Sequence, residues 1–274
     1  MNKSATFHFI AERQRRWAQT RGLTVSDKGR ASRLEDNLFA PLHDETRAEI
    51  EAGDGDEFGT PDAVGKMYSL YSSSALVCNV FDHWRKRPTL PMLQACGLDI
   101  GGSNLAFEQK VSTGVGSKPA NFDVVISDSG REHLAVAVES KFTEPFQTSE
   151  RDCLKVSYFR KSDIWDELPA CRVIAENLTA KESFKCLKAS QLLKHTLALT
   201  RSYGKKRFVL LYLWYDVDGS DAARQHREDV REFGNLIDDE VLFRSDTYQN
   251  VFDRLSLSTS GTPYEAYLRS RYFA

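Results

Sequence analysis

Two neighbouring stretches decide the fold: NFDVVI at 121–126 and, after a turn, VAVESK at 136–141. Both are rich in β-branched and apolar residues, and Asp128-Ser129-Gly130-Arg131 between them is a turn signal, so strands are expected over 122–127 and 133–142. In the second strand Leu134, Val136 and Val138 share one face, while Ala135, Ala137, Glu139 and Lys141 share the other. The two alanines leave room beside Glu139 and Lys141 for an ion and a phosphate. With 129–133 as the connecting loop, an antiparallel register sets Asp123 opposite Glu139, with β-carbons roughly 5 Å apart.

Carboxylates that close repel one another, and a divalent cation relieves the repulsion. A site built of oxygen ligands selects Mg²⁺ or Mn²⁺ over zinc. Lys141 would partly neutralise the pair, steer an attacking water, or stabilise charge building on a phosphoryl oxygen. An ExK tripeptide alone is common, and charges alternating along a half-exposed strand usually just face water. Here the neighbouring strand supplies an Asp, and the surroundings are apolar enough to make unused charges costly.

Working outward, strands are expected at 105–111 and 207–217, the latter (RFVLLYLWYDV) nearly all apolar, as suits a central strand covered on both faces. Helices are expected over 6–19, 44–52, 62–87 and 181–202, then over 222–235, 247–255 and 264–272. Short helices with a break at Leu168-Pro169 should fill 148–180. In the 62–87 helix, Ser72-Ser73-Ser74 has poor helix propensity and marks a break or a close approach. The acidic loop Gly53-Asp54-Gly55-Asp56 lacks the spacing of an EF-hand and reads as a turn. The expected fold class is α/β: a mixed four- or five-stranded sheet flanked by helices, in one domain over 1–274. Its core would span about 45–217, with helical elaborations at 1–44 and 218–274.

The chain's 274 residues are 41% hydrophobic and 28% charged, a globular composition with enough apolar residues for a substantial core. Net charge is −2, from 37 basic and 39 acidic residues, which argues against attachment to nucleic acid by bulk charge but allows a basic groove. Five scattered cysteines form no CxxC and no zinc spacing, as expected of thiols in a reducing cytosol. No signal peptide and no membrane-length apolar run is present, so a cytoplasmic protein without a membrane partner is expected. No phosphate loop, dinucleotide fingerprint or GxSxG occurs. Arg85-Lys86-Arg87 and Lys205-Lys206-Arg207 sit at helix ends, where dipole and solvation effects compete with phosphate contacts. His195 falls on an apolar helix face, the usual place of a core histidine.

Asp123, the turn and Glu139-x-Lys141, on two strands flanked by helices, resemble the PD-(D/E)xK nucleases. LYSSSALVCNVF at 70–81 and ESKFTEPF at 139–146 are similar to a bacterial branch of restriction-endonuclease-like proteins, and the resemblance spans about 45–215. It implies a Mg²⁺- or Mn²⁺-dependent nuclease acting on DNA, of the restriction or repair type, with endo- and exonuclease action both open, and with Asp123, Glu139 and the Ser140 backbone carbonyl as metal ligands. Lys141 would position the nucleophilic water. Gln191 resembles a glutamine that some members place beside this site; a solvated helix-face residue is the competing reading.

Two departures from the family pattern stand out. Phe122 precedes Asp123, and the nearest upstream proline is Pro119. The helix that often supplies a glutamate contains none over 62–87; its polar candidates are Ser72, Asn79 and Asp82, with Ser72 and Asn79 seven apart on one face. Glu49 or Glu51 are the other candidates. Glu144 reads as a surface residue before Pro145, or else as an acid behind Lys141. A homodimer would be natural if both strands of a duplex are cut. The competing function is a non-catalytic module, binding nucleic acid or protein on a degenerate nuclease fold.

Overall fold

The computed structural model describes residues 1–116, 118–128, 135–147, 152–180 and 184–273. The expected turn at 128–131 and the first two residues of the expected 133–142 strand lie mostly outside them, as do 148–151 and 181–183.

The chain begins with α1 (Lys3–Thr20), whose buried face carries Thr6, Ile10, Gln14, Trp17 and Ala18, and the Asn2 side chain caps its start. Then follow α2 (Asp44–Glu51), the small hairpin β1 (Gly59–Thr60) and β2 (Ala63–Val64), α3 (Ser73–Phe81) and α4 (Leu90–Ala95). The strands β3 (Asn104–Val111), β4 (Ala120–Ser127) and β5 (Ala135–Lys141) come next. After them run α5 (Ser157–Arg160), α6 (Pro169–Ala180), α7 (Ala189–Tyr203), β6 (Phe208–Trp214) and α8 (Asp221–Ile237). The chain closes with β7 (Leu242–Thr247), α9 (Tyr248–Thr259), α10 (Pro263–Leu268) and a π turn over Arg269–Phe273.

β3 to β7 form one five-stranded sheet in sequence order. β3, β4 and β5 pair antiparallel; β6 and β7 then add in parallel, each after a helical crossover. This is the mixed α/β sheet flanked by helices that the sequence leads one to expect. β6 is buried at every position, as its unbroken apolar run requires. The pairs Val124↔Val138 to Ser127↔Ala135 carry the expected register, in which Asp123 faces Glu139.

The single helix expected over 62–87 is not there. Gly59 adopts φ +84°, and a Cβ on Gly65 would stand 2.1 Å from the Glu57 carbonyl, so this chain turns tightly on itself in the small hairpin. α3 starts only at Ser73, because the Ser72 hydroxyl accepts the Ala75 N–H at 3.2 Å and caps it. The helix expected over 181–202 starts at Ala189, and Pro169 opens α6 instead of merely breaking the chain. The expected 264–272 helix is shorter, giving way to the π turn.

The segment 218–274 is not purely helical, since β7 forms the edge of the sheet. Nor are the terminal segments loose additions. Arg271 is 1% exposed, and its guanidinium donates to the Asn37 and Leu70 carbonyls, the Asn37 side chain and Tyr267. It also lies over the Trp17 ring at 4.4 Å, joining the C-terminus to α1. Among the described residues no helix is long and apolar enough to cross a membrane.

Candidate active site

The site forms where β4 and β5 stop pairing. Beyond Val124↔Val138 the backbone ladder is replaced by a side chain: Asp123 Oδ2 accepts the Ser140 N–H at 2.6 Å. This bond fixes the Asp123 carboxylate beside Glu139, which is 1% exposed. Lys141 Nζ donates to Glu139 Oε1, and its side chain is 14% exposed. Asp123, Glu139 and Lys141 thus converge as the sequence leads one to expect. Alternation sends Ser140 to the other face, where its hydroxyl hydrogen-bonds Tyr248 at 2.6 Å.

Burial, with the Glu139 charge next to it, pushes the Asp123 carboxyl well above the usual carboxylate range; Lys141 and the Ser140 N–H oppose this. Burial works against the Lys141 charge, but Glu139, Glu144 and Asp123 outweigh it and hold the ammonium above its ordinary range. The site therefore pairs a fixed cation with carboxylates short of positive charge.

One acid missing from the sequence reading is Glu108 on β3. The pairs Phe107↔Val124 and Gln109↔Phe122 place it across from Asp123. Its φ is +49°, in the left-handed region that costs a non-glycine residue about 1–3 kcal/mol and persists only where the surroundings enforce it. Its carboxylate accepts from Asn121 Nδ2, and burial pushes its pKa up. Glu57, two residues before the small hairpin, is 9% exposed, is likewise raised by burial, and feels the Glu108 charge. Glu108 thus lies electrostatically between Glu57 and the Asp123–Glu139 pair. Only the φ reversal distinguishes Glu108 from its neighbours, and the string NLAFEQKV shows no trace of it.

The second missed residue is His195, which the sequence suggests as a core histidine. It is 2% exposed, and its Nδ1 lies 3.4 Å from Glu139 Oε2. Its ring packs on Phe122 of β4 with centroids 4.4 Å apart. Burial lowers its pKa, while Glu139 and the Asn121 backbone favour the charged ring.

The candidates for the missing helix carboxylate do not join this cluster. Ser72 caps α3. Asn79 is 2% exposed and serves the fold, bonding Phe39 N, the Asn37 carbonyl and Tyr272. Asp82 accepts from Thr46 and His43, on the far side of α3. Glu49 pairs with Arg85 and accepts the Phe107 N–H at 2.9 Å, so it holds β3 from behind. Glu51 is exposed at the end of α2. Gln191 is half-buried one helical turn before His195, and among the described residues its side chain makes no hydrogen bond. Glu144 caps the turn after β5, accepting the Phe142 and Thr143 N–H groups at 2.8 and 3.0 Å and bonding Ser73. Arg85 is consumed by Glu49 and by the Phe107 ring, so it is no phosphate contact.

Among the described residues no three His, Cys, Asp or Glu side chains converge closely enough to hold a metal ion unaided. Two carboxylates and a backbone carbonyl still suit Mg²⁺, which retains several waters and is commonly bound by one or two carboxylates plus substrate oxygens. The Glu139 carboxylate is buried with Lys141 as its one hydrogen-bond donor among the described residues, and this is the observation that leaves capacity for such an ion.

A mixed sheet with carboxylates and a lysine where its antiparallel strands separate is a restriction-endonuclease-like core. The chain belongs to the family described as Restriction Endonuclease associating with ARP, whose model matches residues 10–273. No curated protein and no solved structure matches it.

Proposed function

We propose that this chain is a Mg²⁺- or Mn²⁺-dependent nuclease of the PD-(D/E)xK type that hydrolyses phosphodiester bonds in DNA. The observation that carries the reading is the convergence of Asp123, Glu139 and Lys141, with the lysine held charged by the carboxylates around it. Asp123, Glu139 and the Ser140 carbonyl would hold the metal, which supplies Lewis-acid charge at the phosphoryl oxygen. Lys141 then orients a water for attack on phosphorus and donates hydrogen bonds to the negative charge that develops there. With a cation held by these carboxylates, Lys141 Nζ would be freed from Glu139 for that role.

A purely binding module on the same fold is the weaker reading, because burying Glu139 with Lys141 and crowding Asp123 beside them has no purpose there. DNA as substrate, a cytoplasmic location and a homodimer for double-strand cutting remain part of the proposal. The family's description also names an association with ARP, so activity that depends on ARP fits the same reading. The test is incubation of the purified protein with duplex, branched and single-stranded DNA in Mg²⁺, Mn²⁺ or EDTA. Cleavage in metal but not in EDTA supports the nuclease; cleavage unaffected by EDTA refutes it.

A further inference from the structure

Glu139 Oε2 and His195 Nδ1 are both buried, stand 3.4 Å apart, and have no hydrogen-bond partner among the described residues. Two unpartnered polar atoms facing each other at that distance are rare in a protein interior unless they are used. The rest of the imidazole is held firmly: Phe122 packs against the ring, the Asn121 backbone lies beside it, and α7 carries it. Asn121 and Phe122 belong to β4, whereas Glu139 belongs to β5. His195 therefore spans the place where the two strands separate, from the helix packed over them.

We infer that His195 is a positioning residue for Glu139, presenting its carboxylate to the metal. The inference rests on the metal-dependent reading of the site. Lys141 holds Oε1, and a bound cation would take over that restraint. The remaining support on the carboxylate is His195 at Oε2. Metal-ligating carboxylates are themselves hydrogen-bonded, and loss of such a support typically lowers metal affinity about 10–100-fold. A contact at 3.4 Å whose alignment falls short of a hydrogen bond is expected to tighten when the site is loaded.

The experiment is Mn²⁺ binding, by calorimetry, to the full chain and to His195→Ala, His195→Asn, His195→Phe and Asp123→Asn, with folding checked by thermal melting. Asparagine offers an amide N–H near the position of Nδ1, whereas phenylalanine keeps the packing on Phe122 and offers none. The expected result is a loss of about tenfold or more in Mn²⁺ affinity for His195→Ala and His195→Phe, with His195→Asn recovering most of it. Should His195→Ala fail to fold, the Asn and Phe variants alone decide. Wild-type Mn²⁺ affinity in His195→Phe, with Asp123→Asn losing the ion, would overturn the positioning role and leave the nuclease reading standing. Absence of Mn²⁺ binding by the unmodified protein would remove both.

Discussion

Asp123 Oδ2 receives the backbone N–H of Ser140 at 2.6 Å, one residue beyond the last backbone pair between β4 and β5. A carboxylate has taken the place of a main-chain carbonyl, so the strands part while their register is kept. The separation sets Glu139 and Lys141 beyond the last β4 pair while both remain paired with β6 on the other side. Position and charge at this point come from the same bond, and substitutions at Asp123 should separate them.

Asp123→Asn keeps an oxygen able to accept the Ser140 N–H and removes a carboxylate crowded by Glu139 and Glu108. The metal-free variant is expected to be as stable as the unmodified protein or more stable, by up to about 1 kcal/mol. Divalent metal should raise the melting temperature of the unmodified protein but not of the variant. Urea unfolding without metal checks the first half, and thermal melting with and without Mn²⁺ checks the second.

Lys141→Ala leaves Glu139 buried without its cation. In EDTA the loss should be about 3 kcal/mol, as for other buried pairs deprived of one partner. Mn²⁺ should restore part of it, since the ion takes up the charge that the lysine balanced. A loss below about 0.5 kcal/mol in EDTA would mean that Glu139 is not dependent on the lysine at all.

His226 is fully buried, with Tyr212 OH 3.1 Å from its Nε2, and burial lowers its pKa to about 3. The folded ring is neutral while the unfolded ring takes a proton below its ordinary value of about 6.5. Stability should therefore fall as pH drops from about 6.5 towards 3, by up to about 1.4 kcal/mol per pH unit from this group. His83, lowered to about 4 by burial, acts in the same direction but is only half-buried. Chemical denaturation between pH 7 and 4 should show a shallower slope for His226→Gln than for the unmodified protein.

Arg271 ties the C-terminal π turn to Asn37, Leu70 and the ring of Trp17. Arg271→Ala strands several buried acceptors, and a loss of about 3 kcal/mol is expected. Arg271→Lys keeps the charge but not the planar fork, so it should recover only part. Denaturation midpoints of the two variants test whether the terminal segments are integral to the core.

The sheet and its register were legible because NFDVVI and VAVESK are β-branched, apolar runs joined by a turn signal and β6 is an unbroken apolar run. β7 was not, since LFRSDT is short, polar and half-exposed, and is a strand only because β6 offers it an open edge. The long helix expected over 62–87 failed because the stripe from Met67 to Trp84 keeps roughly helical spacing through Ser69 and Ser72, which are extended, and Ser72 caps a new helix. Within the site, Asp123, Glu139 and Lys141 were legible because adjacent strands and period-two alternation fix them. Glu108 depends on a reversed φ, and His195 on how α7 packs over β4 and β5; neither relation is local in the sequence.

The most direct measurement is cleavage of a DNA substrate in Mn²⁺ by the unmodified protein, Asp123→Asn and Lys141→Ala, with DNA binding measured in parallel in EDTA. A catalytic site at these residues requires cleavage to fall about 10³-fold or more in each variant while binding changes by only a few fold. Cleavage at the unmodified rate by folded Asp123→Asn or Lys141→Ala would contradict it.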